Sequence, residues 1–380
     1  MAAVMVHAAA KPPLRILMTI GRLNIGGAER RLLQLMRYLD RSGASVEVTF
    51  FVISGAVGSL DPQIRAAGAR IVYGRPSVLG LIDFSRLARR LVPDLIHVNA
   101  GSAGGFYCLA GRIGGVKRTI SHIRSCGPVA RPFFSRHALF YEPCTSVFSS
   151  VVLGVSAATA ENRNFLSSNW RVIYDGIDSA EFESAESSLA PEGFSAKGPN
   201  FVILGRLDRL KNIPHAIRSF SRFVAQGCYP YARLHVVGPE GNQSLLELRD
   251  IARAEGVADK VLLPGPTDEP LRYFRHADCA LLCSDYEGLP GSALEALACG
   301  TPVVASNISP AREVASLTSG ISVVSVADLP GWVSAMSAAL EAERHIISSD
   351  FWNRSPFPLS RHAEAMIALW SELTGKERRV

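Results

Sequence analysis

The feature that most limits what this chain can fold into is a rhythm in which short apolar runs of strand length alternate with helical patterns, and the series occurs twice. Leu14–Ile20 is an apolar run, a glycine-bearing loop follows through Gly27, and Leu32, Leu33, Met36 and Leu39 then recur at helical spacing. Further strands are expected at 46–53, 70–73, 95–98, 118–121 and 151–155, with helices such as 85–91 and 103–113 between them. Strands separated by helical crossovers pair in parallel, so the sheet they form is covered by helices on both faces.

A weakly patterned stretch from Glu183 to Pro199, containing Ser, Ala, Glu, Pro and Gly, interrupts the rhythm. It restarts at 200–204 and continues with strands near 234–237, 261–263, 279–282 and 302–305. The expectation is an α/β protein of two Rossmann-like, doubly wound domains, residues 1–183 and 184–357. A helical tail at 358–380, periodic from Ala363 to Leu373, is expected to join the first domain. The length of 380 residues fits two domains of about 150 residues each.

Composition narrows the class. Hydrophobic residues at 48% and charged residues at 19% describe a folded globular protein, and no run approaches the ~20 apolar residues of a membrane span. Seven cysteines, scattered and never spaced C-x-x-C, argue against a disulfide framework and a zinc site, and a reducing cytoplasmic location is expected. Met1–Ala10 is short and lacks the basic leader of a signal peptide. Residues 1–183 carry 21 Lys/Arg against 12 Asp/Glu, a net of +9 within a total of +6. Arg86, Arg89, Arg90, Arg112, Lys117, Arg118, Arg124, Arg131 and Arg136 supply much of it. Such a field draws anionic partners, and peripheral contact with an anionic membrane is the form expected here, around residues 112–136 with Phe133 and Phe134; nucleic acid is not expected.

The most informative segment is 284–306, S-D-Y-E-G-L-P-G-S-A-L-E-A-L-A-C-G-T-P-V-V-A-S. It begins at the carboxyl end of an expected strand, where open α/β sheets bind ligands. Pro290 suits the first position of a helix and Gly300 its C-terminal cap, which predicts a helix of about ten residues. The helix would present the unpaired N–H groups of Gly291 and Ser292 to an anion, with Glu287 in the loop before it and Glu295 within it. A second segment, Gly205-Arg-Leu-Asp-Arg-Leu-Lys-Asn212, follows the first strand of the second domain and sets Arg206 and Lys211 just past a strand end. Gly26-Gly27-Ala28-Glu29 follows the first strand of all and opens a helix. His122 ends a strand of the first domain, and His97 ends the preceding one. No Walker loop and no G-x-G-x-x-G fingerprint follow either leading strand, which weakens NTPase and dehydrogenase readings.

Together these segments resemble the retaining glycosyltransferases of family 4, also called glycosyl transferases group 1. The 284–306 segment is similar to their E-x7-E signature, and 205–212 to their G-R-x4-K-N stretch. The resemblance is strong over roughly 200–310 and looser over 14–180. It implies the GT-B fold, with the two domains facing across a cleft, and sugar transfer with retention from a nucleotide-diphosphate sugar, UDP- or GDP-linked. The implied acceptor is a glycan, a polyprenyl-phosphate-linked molecule or a small molecule. It implies further that Arg206 and Lys211 hold the pyrophosphate, that His122 bonds the donor sugar and that Glu287 positions it. Gly26, Gly27, Gly288, Leu289, Pro290, Gly291, Ser292 and Glu295 would contact the donor. No D-x-D string occurs, the nearest being Asp285-Tyr286-Glu287, so neither metal nor cofactor is expected. The rival expectations are a nucleotide-sugar epimerase or hydrolase on the same frame and a non-catalytic nucleotide-sugar-binding protein.

Overall fold

The computed structural model describes residues 12–126, 143–161, 169–178, 189–342, 352 and 354–376. The first sheet comprises β1 (Leu14–Ile20), β2 (Val46–Val52), β3 (Arg70–Tyr73), β4 (Leu95–Val98), β5 (Thr119–Ile123), β6 (Val151–Gly154) and β7 (Trp170–Val172). Their order is β3-β2-β1-β4-β5-β6-β7, every neighbouring pair parallel. Helices α1 (Gly27–Arg41), α2 (Asp61–Ala66), α3 (Val78–Leu91) and α4 (Gly104–Ile113) accompany it. The second sheet comprises β8 (Asn200–Leu204), β9 (Arg233–Val237), β10 (Val261–Gly265), β11 (Cys279–Leu282), β12 (Val303–Ser306) and β13 (Ile321–Val324), in the order β10-β9-β8-β11-β12-β13. Its helices are α5 (Ile213–Val224), α6 (Leu245–Ala254), α7 (Pro270–His276), α8 (Gly291–Ala298), α9 (Ser309–Leu317) and α10 (Leu329–Glu341).

In each sheet the strand order reverses at one place, between β1 and β4 and between β8 and β11. Helices leave in opposite directions there, so a crevice opens at the carboxyl ends of the two strands. These two crevices position the site. The strands beside them are almost wholly apolar because both faces are covered: in β1 every residue except Arg15 is buried.

The tail forms α11 (Leu359–Thr374), reached through a strand-like bridge between Ile177 and Pro358. Ala363, Met366, Ile367, Leu369 and Trp370 of α11 are buried in one cluster with Leu14, Ile16 and Met18 of β1 and Leu32 and Met36 of α1. Burial on that scale, about 1.5–3 kcal/mol for each large side chain, holds the tail against the first sheet.

Some expected bounds move for physical reasons. Pro302 has no N–H for the ladder, so β12 pairs from Val303 rather than from residue 302. Helix α3 begins at Val78, before the expected 85, because Val78, Leu79 and Ile82 are apolar yet exposed and blur the helical stripe that Leu81 and Phe84 turn toward the core. The strands β7 and β13, at sheet edges and three and four residues long, are too short to leave a periodic signal. The linker region is described from residue 189 onward, and Arg131, Phe133, Phe134 and Arg136 lie outside the described residues.

Candidate active site

The crevice of the second sheet is lined by Arg206, Lys211, Ser284 and Ser292 together with the ends of β8 and β11. Gly205, at φ +153°, turns the chain out of β8 in a conformation that L side chains rarely adopt. The 3-10 turn at 209–211 then carries Lys211 over the crevice. Asn212 closes that turn in the left-handed region at φ +46°, a place that asparagine tolerates, and its amide donates to Asp285 Oδ1 at 3.3 Å. The Asp285 N–H donates to the Leu210 carbonyl at 2.8 Å, so the two loops are tied together.

Within this frame Lys211 Nζ donates to Glu287 Oε1 at 2.5 Å, and Ser284 Oγ donates to the same oxygen at 2.7 Å. Arg206 stands at the crevice rim with its side chain 61% exposed, its Nε donating to Asp208 Oδ2 at 2.6 Å. Helix α8 starts at Gly291 with Pro290 as its cap, one residue later than expected, and ends before Gly300, which is left-handed at φ +73°. Gly291 and Ser292 are therefore its first two residues, and their N–H groups are among the four that a helix leaves unpaired.

The first domain grips the loop 287–290 from the other side. Cys126 N–H donates to the Glu287 carbonyl at 3.0 Å, and Ser156 Oγ donates to the Gly288 carbonyl at 2.6 Å. A Cβ at Gly288 would collide with the backbone of Arg124 and Ser125, so only glycine fits between the domains here. Leu289 is half-buried beside them. A second tie joins the domains: Glu313 of α9 accepts from the N–H groups of Ala157 and Ala158, both at 2.8 Å, and from Tyr174 Oη at 2.7 Å.

Glu295 is not open to a ligand on all sides. Its Oε1 accepts from Arg31 Nη2 of α1 at 2.6 Å, and both side chains are more than nine-tenths buried. Arg31 also donates to Gln34 Oε1 at 2.7 Å. Gly26 caps α1 and Gly27 opens it, and around Gly27 there is open space for a ligand to approach the backbone. Burial raises the carboxyl pKa of Glu29 in the same turn, against the pull of its own backbone N–H and of Arg124 and Arg206.

His122 is buried in β5, and its Nδ1 lies 3.0 Å from Nε2 of His97 in β4. Burial lowers the pKa of both rings, that of His97 to about 3 and that of His122 well below the usual range, with the Arg124 charge adding to each effect. Both rings are neutral at physiological pH. Among the described residues no group of three or more His, Cys, Asp or Glu is placed to hold a metal ion.

The sequence expectations gave no site role to Arg31, Ser284 or Asn99, and named Arg124 only for its charge. Arg31 had a signal: it stands in register with Leu35 and Leu39 on the buried stripe of α1. Asn99 follows β4 directly at the first sheet's crevice, and among the described residues neither polar atom of its side chain has a partner.

A chain of this architecture, with lysine, glutamate and a helix N-terminus at the second crevice, belongs to the class of two-domain α/β proteins with an anion-binding crevice at a sheet's switch point. Comparison with known proteins specifies it. The family model described as "Glycosyl transferases group 1" matches residues 185–343, and that of "Glycosyltransferase Family 4" matches residues 25–181. The chain is 23% identical over 347 residues to the capsular polysaccharide biosynthesis glycosyltransferase CapH of Staphylococcus aureus, spanning 89% of this chain and 94% of that one. A D-inositol 3-phosphate glycosyltransferase of Acidothermus cellulolyticus is 35% identical over 147 residues, 36% of this chain and 33% of that one. Among solved structures, Anabaena Alr3699/HepE in complex with UDP-glucose superposes with a TM-score of 0.75 at 17% identity, covering 94% of this chain and 99% of that one. Sucrose-phosphate synthase from Thermosynechococcus elongatus gives 0.73 at 19% identity, covering 96% and 100%. The chain belongs to the group 1, family 4 glycosyltransferases of the GT-B type, and is an enzyme of the glycosyltransferase class.

Proposed function

We propose that the enzyme moves a sugar, with retention, from a nucleoside-diphosphate sugar to a glycan or polyprenyl-phosphate-linked acceptor, without a metal. The observation that carries this reading is Lys211 Nζ at 2.5 Å from Glu287 Oε1, at the crevice where α8 begins. A lysine, the Arg206 guanidinium and a helix N-terminus stabilise charge on a departing diphosphate. Glu287 positions the donor sugar, and Glu295 takes the ribose diol with the oxygen that Arg31 leaves free. As the bond from the anomeric carbon to the diphosphate breaks, the acceptor hydroxyl attacks the same face and its proton passes to the leaving phosphate oxygen. His122 donates to the donor sugar. A uridine nucleotide is supported by the Alr3699/HepE structures, which are complexes with UDP and UDP-glucose.

Recruitment of the acceptor at an anionic membrane is supported by the outer face of α3 and α4. There the exposed Ile82, Val92 and Ile113 lie among the exposed Arg86, Arg89, Arg90 and Arg112, and Arg89 donates to the Ile113 carbonyl at 3.4 Å. Among the described residues no helix is long and apolar enough to cross a membrane. A calorimetric screen of UDP, GDP and ADP with their common sugars tests the reading. Binding of one series supports it, and binding of none overturns it.

A further inference from the structure

Trp370, from the C-terminal helix α11, donates its indole N–H to His97 Nδ1 at 3.2 Å, and His97 Nε2 lies 3.0 Å from His122 Nδ1. Three side chains from α11, β4 and β5 thus form a single file, and all three are buried. An indole nitrogen can only donate. His97 Nδ1 must therefore be the unprotonated nitrogen, and in a neutral ring the proton then sits on Nε2. That N–H faces His122 Nδ1, which must accept, and the proton of His122 is left on its own Nε2. The opposite assignment would set two N–H groups against each other at the Trp370 contact, and so would a protonated His97. Burial, which keeps both rings neutral, removes that second alternative.

The end of the file is an orphan. His122 Nε2 is buried and has no hydrogen-bond partner among the described residues. A buried N–H without an acceptor costs about 1–3 kcal/mol, so its retention calls for an oxygen that arrives with a ligand. His122 is two residues from Arg124, whose backbone packs against Gly288 of the donor loop.

We infer that Trp370 and His97 are positioning residues that lock His122 as the Nε2–H tautomer, making it an obligate donor to a lone-pair oxygen of the transferred sugar. The site would then select sugars that offer a hydroxyl or carboxylate oxygen at that point over deoxy analogues, and it gains nothing from a group that can only donate. The consequence for the sugar rests on the proposed role of His122; the tautomer does not.

The test reads the tautomer first. In the ligand-free full chain labelled with 15N-histidine, long-range 1H–15N spectra distinguish a protonated Nδ1 from a protonated Nε2, and His97→Gln and His122→Gln assign the two rings. The expected result is Nε2–H on both. The Trp370→Phe variant should bring in a detectable Nδ1–H population at His97 and His122. Because that substitution also opens space in the core, a second pair separates chemistry from packing. His97→Gln supplies an amide oxygen toward Trp370 and an amide N–H toward His122, and should keep His122 as Nε2–H, whereas His97→Leu should release it. Nδ1–H on His122 in the unaltered chain, or an unchanged tautomer in both Trp370→Phe and His97→Leu, overturns the inference. UDP release from UDP-glucose supplies the other arm: kcat should fall about tenfold in His97→Leu, the scale of one neutral hydrogen bond, and recover in His97→Gln. If the tautomers behave as stated while His122→Ala leaves turnover intact, the relay stands and the sugar contact falls.

Discussion

Arg31 and Glu295, 264 residues apart in sequence, meet at 2.6 Å with both side chains buried, so the carboxylate expected to read the nucleotide is already held by the first domain. A buried ion pair of this kind is costly to break on one side only, because the remaining charge stays in a poor solvent. Arg31→Met should therefore destabilise the protein by about 3–5 kcal/mol, and Arg31→Met combined with Glu295→Leu should recover much of that loss. A double-mutant cycle in urea denaturation measures it. Additive losses would show that the pair is not coupled.

Gly288 sits where a Cβ would strike the backbone of Arg124 and Ser125. In Gly288→Ala the loop and the first domain must separate, while the two parallel sheets keep every strand pairing. Turnover should drop at least about tenfold, as expected for reacting groups displaced by an ångström or so, with far-UV circular dichroism unchanged. Full activity in this variant would mean that the domain contact does not matter for catalysis.

Acid should unfold the protein through its buried histidines. The pKa of His97 is lowered from 6.5 to about 3 in the fold, and that of His122 is lowered too, so the unfolded chain binds more protons. The stability they contribute is full above pH 6.5 and is lost as pH falls toward 3. By pH 5 the loss for His97 alone is about 2 kcal/mol. Thermal unfolding between pH 8 and 4 should show a flat upper branch and a fall below about pH 6.5, shallower in His97→Gln. A flat profile in the unaltered protein contradicts this.

Activity should persist in excess EDTA, since the proposed charge neutralisation is carried by Arg206, Lys211 and the start of α8. Complete loss that Mg²⁺ or Mn²⁺ restores would show that a cation shares that task.

How legible this was in the sequence depends on how local the signal is. The strand, loop and helix from 279 to 298 could be read because Pro290 and Gly300 punctuate them within a few residues, and the alternation of strands and helices announced two parallel sheets. That Lys211 and Glu287 serve one donor was implied by the resemblance of two motifs and not by periodicity, and their direct contact across 76 residues was not foreseen. What stayed hidden is long-range pairing on buried faces. Trp370 reads as one more apolar residue of α11, and nothing in its spacing says that its N–H will meet His97, 273 positions earlier. Arg31 shows in the sequence only its register with Leu35 and Leu39 on the buried stripe of α1, and its partner on α8, 264 positions later, stays hidden.

The central claim is that the crevice between β8 and β11 binds a nucleoside diphosphate through Lys211 and Arg206. Titration calorimetry of UDP and GDP against the unaltered chain, Lys211→Ala and Arg206→Ala tests it most directly, accompanied by turnover of the sugar nucleotide whose diphosphate binds. The account predicts saturable binding of at least one of the two, weakened at least about tenfold in each variant, and a fall in rate of about 10²–10³, the usual cost of removing one preorganised charge contact. Binding and turnover that survive both substitutions would contradict it.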